Sequence, residues 1–270
     1  MELKVIAYAH NGHTDKFGIP RQSREESPIL TRIVFEPEYS IPEALRGIEG
    51  YSHLWLLWGF SEVQSDKEQS TKDDVRCTKE DVRCTKAGLS WSPTVRPPRL
   101  GGNMRMGVFA TRSPYRPNPI GLSSVRLVEV RRNDGRCTKE GVKESRSEGV
   151  KEGRLELIVS GADVMDGTPI YDIKPYLSFS DSHPEAQNGF AEETKDRTLE
   201  VVYYPGVDHV LPRYCTRNAL VEEISYILAQ DPRPAYQDDP EREYKMDYSG
   251  FRITFTVKET TVTVKKIEKM

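Results

Sequence analysis

The stretch HLWLLWGF, from His53 to Phe60, is the segment that most directly indicates the fold. Its apolar run from Leu54 to Phe60 is seven residues long, whereas an apolar helix needs roughly 20 residues to cross a bilayer. Short apolar runs separated by Gly or Pro clusters are typical of β-strands with a buried face. The stretch therefore predicts a strand in a folded core, and we expect no membrane span.

Five further segments in the N-terminal two thirds of the chain have the alternation of apolar and polar residues that predicts strands. They are Leu3–Ala7, Leu30–Phe35, Arg105–Ala110, Val125–Val130 and Leu155–Val159. Only short helical turns fit between them, such as Pro42–Arg46. Strands without long intervening helices favour a barrel or a sandwich over a doubly wound sheet. We therefore predict a mainly β fold with a β-barrel-like N-terminal domain over residues 1–185.

The C-terminal part of the chain has a different pattern. Asn218 can cap a helix whose apolar residues lie on one face, and Pro232 ends that helix. Apolar residues then alternate with polar ones over Phe251–Val257 and return at Val262–Val264, which predicts a hairpin. We therefore predict a small α+β domain over residues 196–270.

Two polar segments consist of short repeats. TKDDVRC and TKEDVRC follow one another over residues 71–84, and EGVKE occurs twice within residues 140–152. These units are too short and too polar for a solenoid, and a coiled coil would need apolar heptads sustained over a longer stretch. We interpret them as disordered or mobile loops inserted into the barrel domain near 65–90 and 133–153.

Length, cysteine content and the N-terminus restrict the class of protein. A chain of 270 residues fits one or two domains. Its four cysteines form no C-x-x-C pair, which argues against a disulfide framework and a structural zinc site. The N-terminal sequence MELKVIAYAH has no long apolar stretch and no small-residue cleavage site. We therefore expect a cytoplasmic protein with reduced thiols.

Positive charge is concentrated in one segment, although the formal net charge is only −3. Residues 94–128, here called the arginine-rich segment, contain six arginines and neither lysine nor an acidic residue. The Pro, Gly and Asn residues of this segment are explained by turns alone. Turns do not explain why arginine is concentrated here without acidic residues, because surface charges are normally interspersed with the opposite sign. An anionic partner would explain them.

Several common types of active site have no support in the sequence. No strand is followed by G-x-G-x-x-G, and no G-x-x-x-x-G-K-[ST] motif occurs, so neither a Rossmann nor a P-loop nucleotide site is indicated. His10 and His13 lie close together but have no Cys or acidic partner at ligand spacing, so we predict no metal site. The absence of G-x-S-x-G leaves serine hydrolysis unsupported.

Five long motifs occur in order along the chain. They are FGIPRQ at 17–22, EGYSHLWLLW at 49–58, VRPPRLGGNMRMGVFATRSPYRPNPIG at 95–121, SGADVMDGTPIYDIKPY at 160–176 and AQDPRPAYQ at 229–237. In these motifs the chain resembles the TsaA-like (TrmO) family of tRNA threonylcarbamoyladenosine N6-methyltransferases. The resemblance implies a β-barrel methyltransferase without a Rossmann fold. It also implies that the enzyme uses S-adenosyl-L-methionine and acts as a homodimer on the adenosine just 3′ of the tRNA anticodon.

The same resemblance implies a set of cofactor-binding residues. Its members fall in the FGIPRQ motif, at the end of the HLWLLW strand, in the ATRS and PIGL segments and in the DGTP segment. They are Pro20, Arg21, Gln22, Phe60, Ser61, Arg112, Leu122, Asp166, Gly167, Thr168 and Pro169. This chain departs from the family pattern in two respects. Position 61 is serine, where we expect His or Asp in relatives. The two repeated insertions stand where the family normally has short loops.

The chemistry of N6 methylation suggests roles for further residues. The N6 nitrogen of adenine is a weak nucleophile because its lone pair is delocalised, so positioning carries most of the catalysis. Asn118, between two prolines, offers a polar acceptor for the N–H group, and an Asn-Pro turn residue is the alternative interpretation. We expect arginine side chains to pair with phosphates or with the threonyl carboxylate of the substrate. We expect a tyrosine ring to stack on the base that is splayed out of the anticodon loop. The residues are Arg96, Arg99, Arg105, Arg116 and Tyr115.

Two other functions are compatible with this sequence. One is a sensor that binds S-adenosylmethionine without turnover, and the other is an RNA-binding barrel without a cofactor. The intact FGIPRQ and DGTP motifs favour cofactor binding over the second of these.

Overall fold

The structure is a computed structural model that describes most of the 270 residues. The described ranges are 2–20, 22–24, 26–60, 91–97, 104–132, 154–192, 198–211, 216–233 and 239–270. Both predicted insertions therefore lie largely outside the described residues.

Strands dominate the described ranges. In chain order they are β1 (Ala7–His10), β2 (Leu30–Phe35), β3 (His53–Gly59), β4 (Thr94–Val95), β5 (Met106–Gly107), β6 (Ile120–Arg132), β7 (Leu155–Ser160), β8 (Pro169–Pro175), β9 (Glu200–Tyr203), β10 (Tyr244–Tyr248), β11 (Phe251–Lys258) and β12 (Thr261–Lys269). The α-helices are α1 (Ser178–Asp181) and α2 (Thr216–Ala229). Short 3-10 turns occur at Pro42–Leu45, Ile48–Gly50, Val108–Ala110, Gly189–Ala191 and Val207–Val210. None of the helices in these ranges is long and apolar enough to cross a membrane.

Six strands form a closed barrel in the order β1-β2-β7-β6-β3-β8. Every neighbouring pair is antiparallel, and the pairing of β1 with β8 closes the ring. Closure removes the unpaired strand edges that an open sheet or a sandwich would leave. The mainly β class and the barrel predicted from the sequence are therefore confirmed, and the sandwich is excluded.

Alternation along β3 explains how the barrel core forms. Leu54, Leu56 and Trp58 are buried, while the residues between them are only partly buried. Successive side chains of a strand point to opposite faces, so these three side chains lie on the inner face. They pack with buried residues of the other barrel strands, including Ile33 and Leu157. The longest apolar run of the sequence is thus one wall of the barrel.

A second sheet is formed by the C-terminal strands in the order β10-β11-β12-β9. The β10, β11 and β12 strands are antiparallel, whereas β9 joins β12 in parallel. The helix α2 buries Ile224, Ile227 and Leu228 in the same core as the inner face of this sheet. A helix covering one face of a mostly antiparallel sheet is the α+β arrangement predicted for this part of the chain.

The loop between β1 and β2 joins the two sheets. Phe17 and Ile29 of this loop pack into the core of the C-terminal sheet, and the Phe17 ring lies 6.4 Å from the Phe255 ring. The ring of His13 contacts Tyr248 edge to face, with centroids 5.2 Å apart. The N–H of Ser249 donates to the carbonyl of Gly12 at 2.8 Å. The loop that contains FGIP is therefore held in place by contacts with the C-terminal sheet, whose residues lie far along the chain.

Some boundaries differ from the sequence prediction. The first strand begins at Ala7 rather than at Leu3, and the long helix begins at Thr216 rather than after Asn218. The predicted strand over Arg105–Ala110 was wrong, because only Met106–Gly107 pairs as a strand and a 3-10 turn follows. Residues 169–175 were not among the strands predicted from the sequence, yet they form β8 and close the barrel.

Candidate functional site

A cavity of about 820 Å³ lies at one end of the barrel. Its walls come from the loop after β1, the end of β3, the arginine-rich segment, the start of β6 and the loop between β7 and β8. A volume in this range is typical of sites that hold a small molecule or cofactor. Antiparallel pairing of β3 with both β6 and β8 brings these distant segments to one end of the barrel.

The cavity brings together seven of the residues predicted to bind cofactor or substrate. They are Pro20, Phe60, Arg112, Tyr115, Arg116, Leu122 and Thr168. Gln22 lies beside this group, because its Oε1 accepts a hydrogen bond of 3.4 Å from Nη1 of Arg112. These residues come from four separate segments of the chain, so the clustering is produced by the fold and not by sequence proximity.

Three predicted cofactor residues surround Thr168 without lining the cavity themselves. Asp166 and Gly167 form the turn before β8, in which Gly167 has a φ of 77°, and Pro169 begins the strand. The Asp166 carboxylate accepts hydrogen bonds from the N–H of Asn11 at 3.1 Å and from the ring of His10 at 3.3 Å. Burial acts to raise the pKa of Asp166, but these contacts outweigh burial and lower it. The turn therefore presents a charged carboxylate at neutral pH.

Of the predicted substrate residues that the structure describes, Tyr115 and Arg116 line the cavity, whereas Arg96 and Arg105 lie outside its lining. Tyr115 is half exposed, and Arg96 is exposed just after β4. Nη1 of Arg105 donates to Oγ1 of Thr94 at 3.0 Å, which ties this arginine to the hairpin formed by β4 and β5. Nη1 of Arg116 donates to the carbonyls of Val108 and Thr111 at 3.2 and 2.7 Å. Arg116 thus braces the loop as well as lining the cavity.

Asn118 lies in the turn that leads into β6. Its side chain is exposed, its carbonyl accepts the Ile120 N–H at 2.8 Å, and it is not among the residues that line the cavity. Its neighbours Arg116 and Ile120 do line it. The catalytic role predicted for Asn118 stays a prediction. The predicted site residues Arg21, Ser61 and Arg99 lie outside the described residues.

A buried polar chain in the cavity wall was not identified from the sequence. Nε1–H of Trp58 donates to Oγ of Ser123 at 2.8 Å, and the Ser123 hydroxyl donates to the Asp163 carboxylate. Burial raises the pKa of Asp163, against the opposing effects of the Ser123 hydrogen bond and the Arg112 charge. Asp163 lines the cavity, so this acid is available to a bound molecule.

Aromatic side chains form one wall of the cavity. Trp58 and Phe60 lie with their ring centres 4.4 Å apart, and both line the cavity. A Cβ atom on Gly121 would overlap the Trp58 indole, so the glycine is what lets that ring lie against β6. Flat apolar rings beside polar groups suit a ligand that contains a heterocyclic base.

A second aromatic group lies outside the cavity, next to the arginines. Phe109 is 70% exposed, its ring centre is 5.9 Å from that of Trp91, and the guanidinium of Arg116 lies 5.6 Å above it. A large apolar ring held in solvent beside cations is suited to stacking on an unpaired nucleic-acid base. The sequence signal was the position of Phe109 within the arginine-rich segment, although the residue was assigned there to a strand.

No metal centre accompanies these groups in the described part of the chain. Within those ranges, no three His, Cys, Asp or Glu side chains gather closely enough to hold a metal ion.

Comparisons with known proteins agree with this architecture. The family model described as the tRNA-methyltransferase O N-terminal domain matches residues 8–182, and that of the TrmO C-terminal domain matches residues 196–270. The chain is 34% identical over 273 residues to a tRNA (adenine(37)-N6)-methyltransferase of Escherichia coli (strain K12), covering 99% of this chain and 97% of the relative. It is 44% identical over 198 residues to an Archaeoglobus fulgidus protein named "Probable S-adenosyl-L-methionine-binding protein", covering 73% of this chain and 40% of that protein.

A solved structure has the same fold. The crystal structure of TrmO from Pseudomonas aeruginosa superposes with a TM-score of 0.66 at 26% identity, covering 99% of this chain and 98% of that one. The two family models together span both sheets and all the segments that form the cavity. The chain therefore belongs to the tRNA-methyltransferase O family.

Proposed function

We propose that this protein transfers a methyl group from S-adenosylmethionine to the N6 nitrogen of adenine 37 in tRNA, where that base carries a threonylcarbamoyl group. The observation that carries the proposal is the cavity itself, which combines an aromatic wall, an arginine and a buried acid beside an arginine-rich rim. Membership of the tRNA-methyltransferase O family supports both the reaction and the nucleic-acid substrate.

The residues of the cavity fit the chemical groups of S-adenosylmethionine. Arg112 can pair with its carboxylate, and Trp58 and Phe60 offer flat surfaces to its adenine. When bound, this cofactor supplies a methyl group activated by a positively charged sulfur. These side chains come from the HLWLLWGF stretch and the arginine-rich segment, which the fold brings together at the cavity.

The rim supports an RNA substrate in single-stranded form. Arg96 and Arg105 lie on the hairpin next to the cavity, where phosphates of an RNA backbone would meet positive charge. Phe109 and Tyr115 are exposed aromatic residues of the same arginine-rich segment. An anticodon loop can present an unpaired base to such a pocket, whereas a duplex must first be opened. Target selection would thus rest on loop geometry as well as on base identity.

Positioning is the main contribution that we assign to the protein in this reaction. In-line transfer needs the target nitrogen held close to the methyl carbon, and holding reactants in that geometry accounts for much of the rate in such reactions. Asn118, at the entrance to β6, is the residue that we propose to hold the target amino group. Its exposed position next to the cavity lining leaves it able to reach a bound base.

The decisive experiment is a nucleoside digest of tRNA analysed by mass spectrometry. Unmodified and threonylcarbamoylated tRNA are each incubated with the protein, with and without S-adenosylmethionine. We expect the mass of one methyl group to be added only to the threonylcarbamoylated nucleoside and only with the cofactor. Saturable calorimetric binding of the cofactor without any methylated nucleoside would instead identify a sensor. If the protein neither binds S-adenosylmethionine nor methylates the nucleoside, the proposed function is refuted.

A matched pair of variants tests the assigned cofactor contact. Arg112→Ala should weaken S-adenosylmethionine binding, because it removes the guanidinium from the cavity wall. Arg131→Ala is the control, since Arg131 lies on β6 outside the lining and pairs with Glu129. A ligand that binds only the folded state at about 100 times its Kd stabilises that state by roughly 2.7 kcal/mol. The cofactor should therefore raise the melting temperature of the wild type and the control, but not that of Arg112→Ala.

We further propose a cytoplasmic homodimer, with the chain divided into domains over residues 1–185 and 196–270. A cytoplasmic location fits the tRNA substrate. Exposed apolar side chains on β6, including Val128 at 50% exposure, support a partner surface on the barrel. Light scattering at several protein concentrations should give twice the mass of the 30.8 kDa chain. A mass equal to one chain at all concentrations would refute the dimer.

A further inference from the structure

Asp163 is a carboxylic acid placed in the wall of the cavity. It follows the end of β7 and lines the same space as Trp58, Phe60 and Arg112. Among the described residues that line the cavity, Asp163 is the one acidic side chain, and no histidine lines it. Asp166, three residues later, lies outside the lining and is engaged with His10 and Asn11.

The surroundings of Asp163 hold the carboxyl group in place and act on its pKa in opposite directions. The Ser123 hydroxyl donates to it, and that hydroxyl in turn accepts the Trp58 N–H at 2.8 Å, so its proton is directed toward the carboxylate. Burial raises the pKa of Asp163, whereas the Ser123 hydrogen bond, the Arg112 charge and the Ser23 backbone act in the opposite direction. The result is a carboxylate held in one orientation by neighbours on β3 and β6 and on two loops.

Methylation of an adenine amino group releases a proton. As the nitrogen forms its bond to the methyl carbon, the bond from that carbon to sulfur breaks and the electron pair stays on sulfur. The nitrogen then carries one proton too many, and this proton must pass to a base. Water is a poor base in a cavity with aromatic walls, so a side chain within reach of the amino group is needed.

We propose that Asp163 is the catalytic residue that accepts the N6 proton of the target adenine during methyl transfer. The inference rests on the proposed function and adds to it the destination of the proton. Ser123 and Trp58 are positioning residues in this scheme, because they act on the target only through the carboxylate. Asn118 would hold the amino group from outside the lining, whereas Asp163 removes its proton from within it.

The central variant is Asp163→Asn. Its amide oxygen can still accept the Ser123 hydrogen bond, but the amide cannot take up a proton at neutral pH. General-base catalysis contributes about 100- to 10,000-fold, so the single-turnover rate should fall by a factor in that range. Asp172→Asn is the matched control, because Asp172 lies on β8 outside the lining and pairs with Lys174 at 2.7 Å. This control should react at the wild-type rate.

Ligand binding separates a base from a counter-ion. S-adenosylmethionine carries a positive sulfur, whereas S-adenosylhomocysteine carries a neutral one, and calorimetry measures both affinities without any turnover. If Asp163 is the base, Asp163→Asn should bind both compounds as the wild type does. Selective loss of S-adenosylmethionine affinity would show that the carboxylate only balances the sulfonium charge, and would overturn the proposal.

Ser123→Ala gives a second test that does not depend on the folding of Asp163→Asn. The Ser123 hydrogen bond lowers the pKa of Asp163, so removing it should move the acid limb of the rate profile to higher pH. The charged side chains that line the cavity with Asp163, which are Lys16, Arg112 and Arg116, are unchanged in this variant. Infrared titration of the protein without RNA should show that the pKa of the Asp163 carboxyl rises by the same amount. An unmoved acid limb in Ser123→Ala would refute the assignment.

The outcomes for this inference and for the proposed function are distinguishable. If the wild type methylates tRNA and Asp163→Asn does so at the same rate, only the assignment of the proton acceptor fails. If the wild type binds no S-adenosylmethionine and methylates no tRNA, the proposed function fails first.

Discussion

Acidification should destabilise the protein through His13, which lies where the loop after β1 meets the C-terminal sheet. The side chain of His13 is 2% exposed, and its Nε2 has no hydrogen-bond partner. Its ring contacts Tyr248, and its carbonyl accepts the Asp166 N–H at 2.9 Å. Protonation would place an unpaired charge in this contact. The loop that carries Asp166 would then lose one of its supports.

The size of the effect follows from the pKa of His13. Burial lowers this pKa from 6.5 to about 4. Between those two pH values the unfolded chain binds the proton and the folded chain does not, so stability falls as the pH falls. The complete shift of about 2.5 pKa units corresponds to roughly 3.4 kcal/mol at about 1.36 kcal/mol per unit. From pH 7 to pH 5 the expected loss from His13 alone is about 2 kcal/mol.

Urea unfolding at pH 7 and pH 5 measures this loss. The His13→Phe variant keeps a ring against Tyr248 but cannot be protonated, so its loss of stability should be smaller than that of the wild type by about 2 kcal/mol. The pKa values of Asp163 and Glu223 are raised, so these two groups make stability rise as the pH falls. Both groups are present in the wild type and in His13→Phe, so their contribution cancels in the comparison. His183→Gln is the control, because His183 is exposed. Equal losses in wild type and His13→Phe would refute the reasoning.

Three further predictions concern the walls and edges of the cavity. Gly121→Ala should lower the free energy of unfolding, measured in urea, by about 1–3 kcal/mol, because the new Cβ would overlap the Trp58 indole. A Cβ on Gly107 meets open space, so Gly107→Ala should lower it little. Phe109→Ala should weaken tRNA binding in a filter assay by about 1–3 kcal/mol without lowering the melting temperature, while the exposed Tyr204→Ala should leave binding unchanged. Deleting residues 71–86 should preserve folding and methyl transfer, since closure entropy changes by only about 0.6 kcal/mol per doubling of loop length. A cooperative loss of folding in that deletion, or an unchanged affinity in Phe109→Ala, would contradict the corresponding prediction.

Period-two patterns predicted the barrel strands well where one face is buried. The β2 strand has the predicted bounds, and β3 and β7 end within one residue of them. The pattern was misleading over Arg105–Ala110, where Phe109 is exposed and the backbone turns after a two-residue strand. Alternation in sequence does not show whether a pairing partner is within reach. Here the partner, Thr94–Val95, is itself only two residues long.

The β8 strand was missed for the opposite reason. Its ends are prolines, and its middle contains Asp172 and Lys174, so the segment lacks the regular alternation of apolar and polar residues that predicted the other strands. Both prolines lie at the ends of the strand, where a missing N–H interrupts the ladder least. Pairing with β3 and β1 provides the stability that the local sequence does not indicate.

Motif resemblance located most of the site, but it could not locate contacts made across the barrel. Seven of the predicted residues do line one cavity. Asp163 stood inside a quoted motif and was not singled out, because its partner Ser123 is 40 residues away and Trp58 is 65 residues from Ser123. Spacing rules act within one strand or helix. A polar chain that joins two strands and a loop becomes visible only when the barrel is closed.

The packing of the β1–β2 loop against the C-terminal sheet has a consequence for the order of events during synthesis. The barrel can close once β8 has been made, at Pro175, but Phe17 and Ile29 find their buried surroundings only when the strands up to Val264 exist. At about 5–20 residues per second, a ribosome needs roughly 4 to 18 s to make that interval. Ile19 and Pro20, two residues of the cavity wall, are carried by this same loop. In the nascent chain the barrel would therefore close before the β1–β2 loop is packed in place. The cavity wall would be complete, and able to bind its ligand fully, only after the last strands have been made.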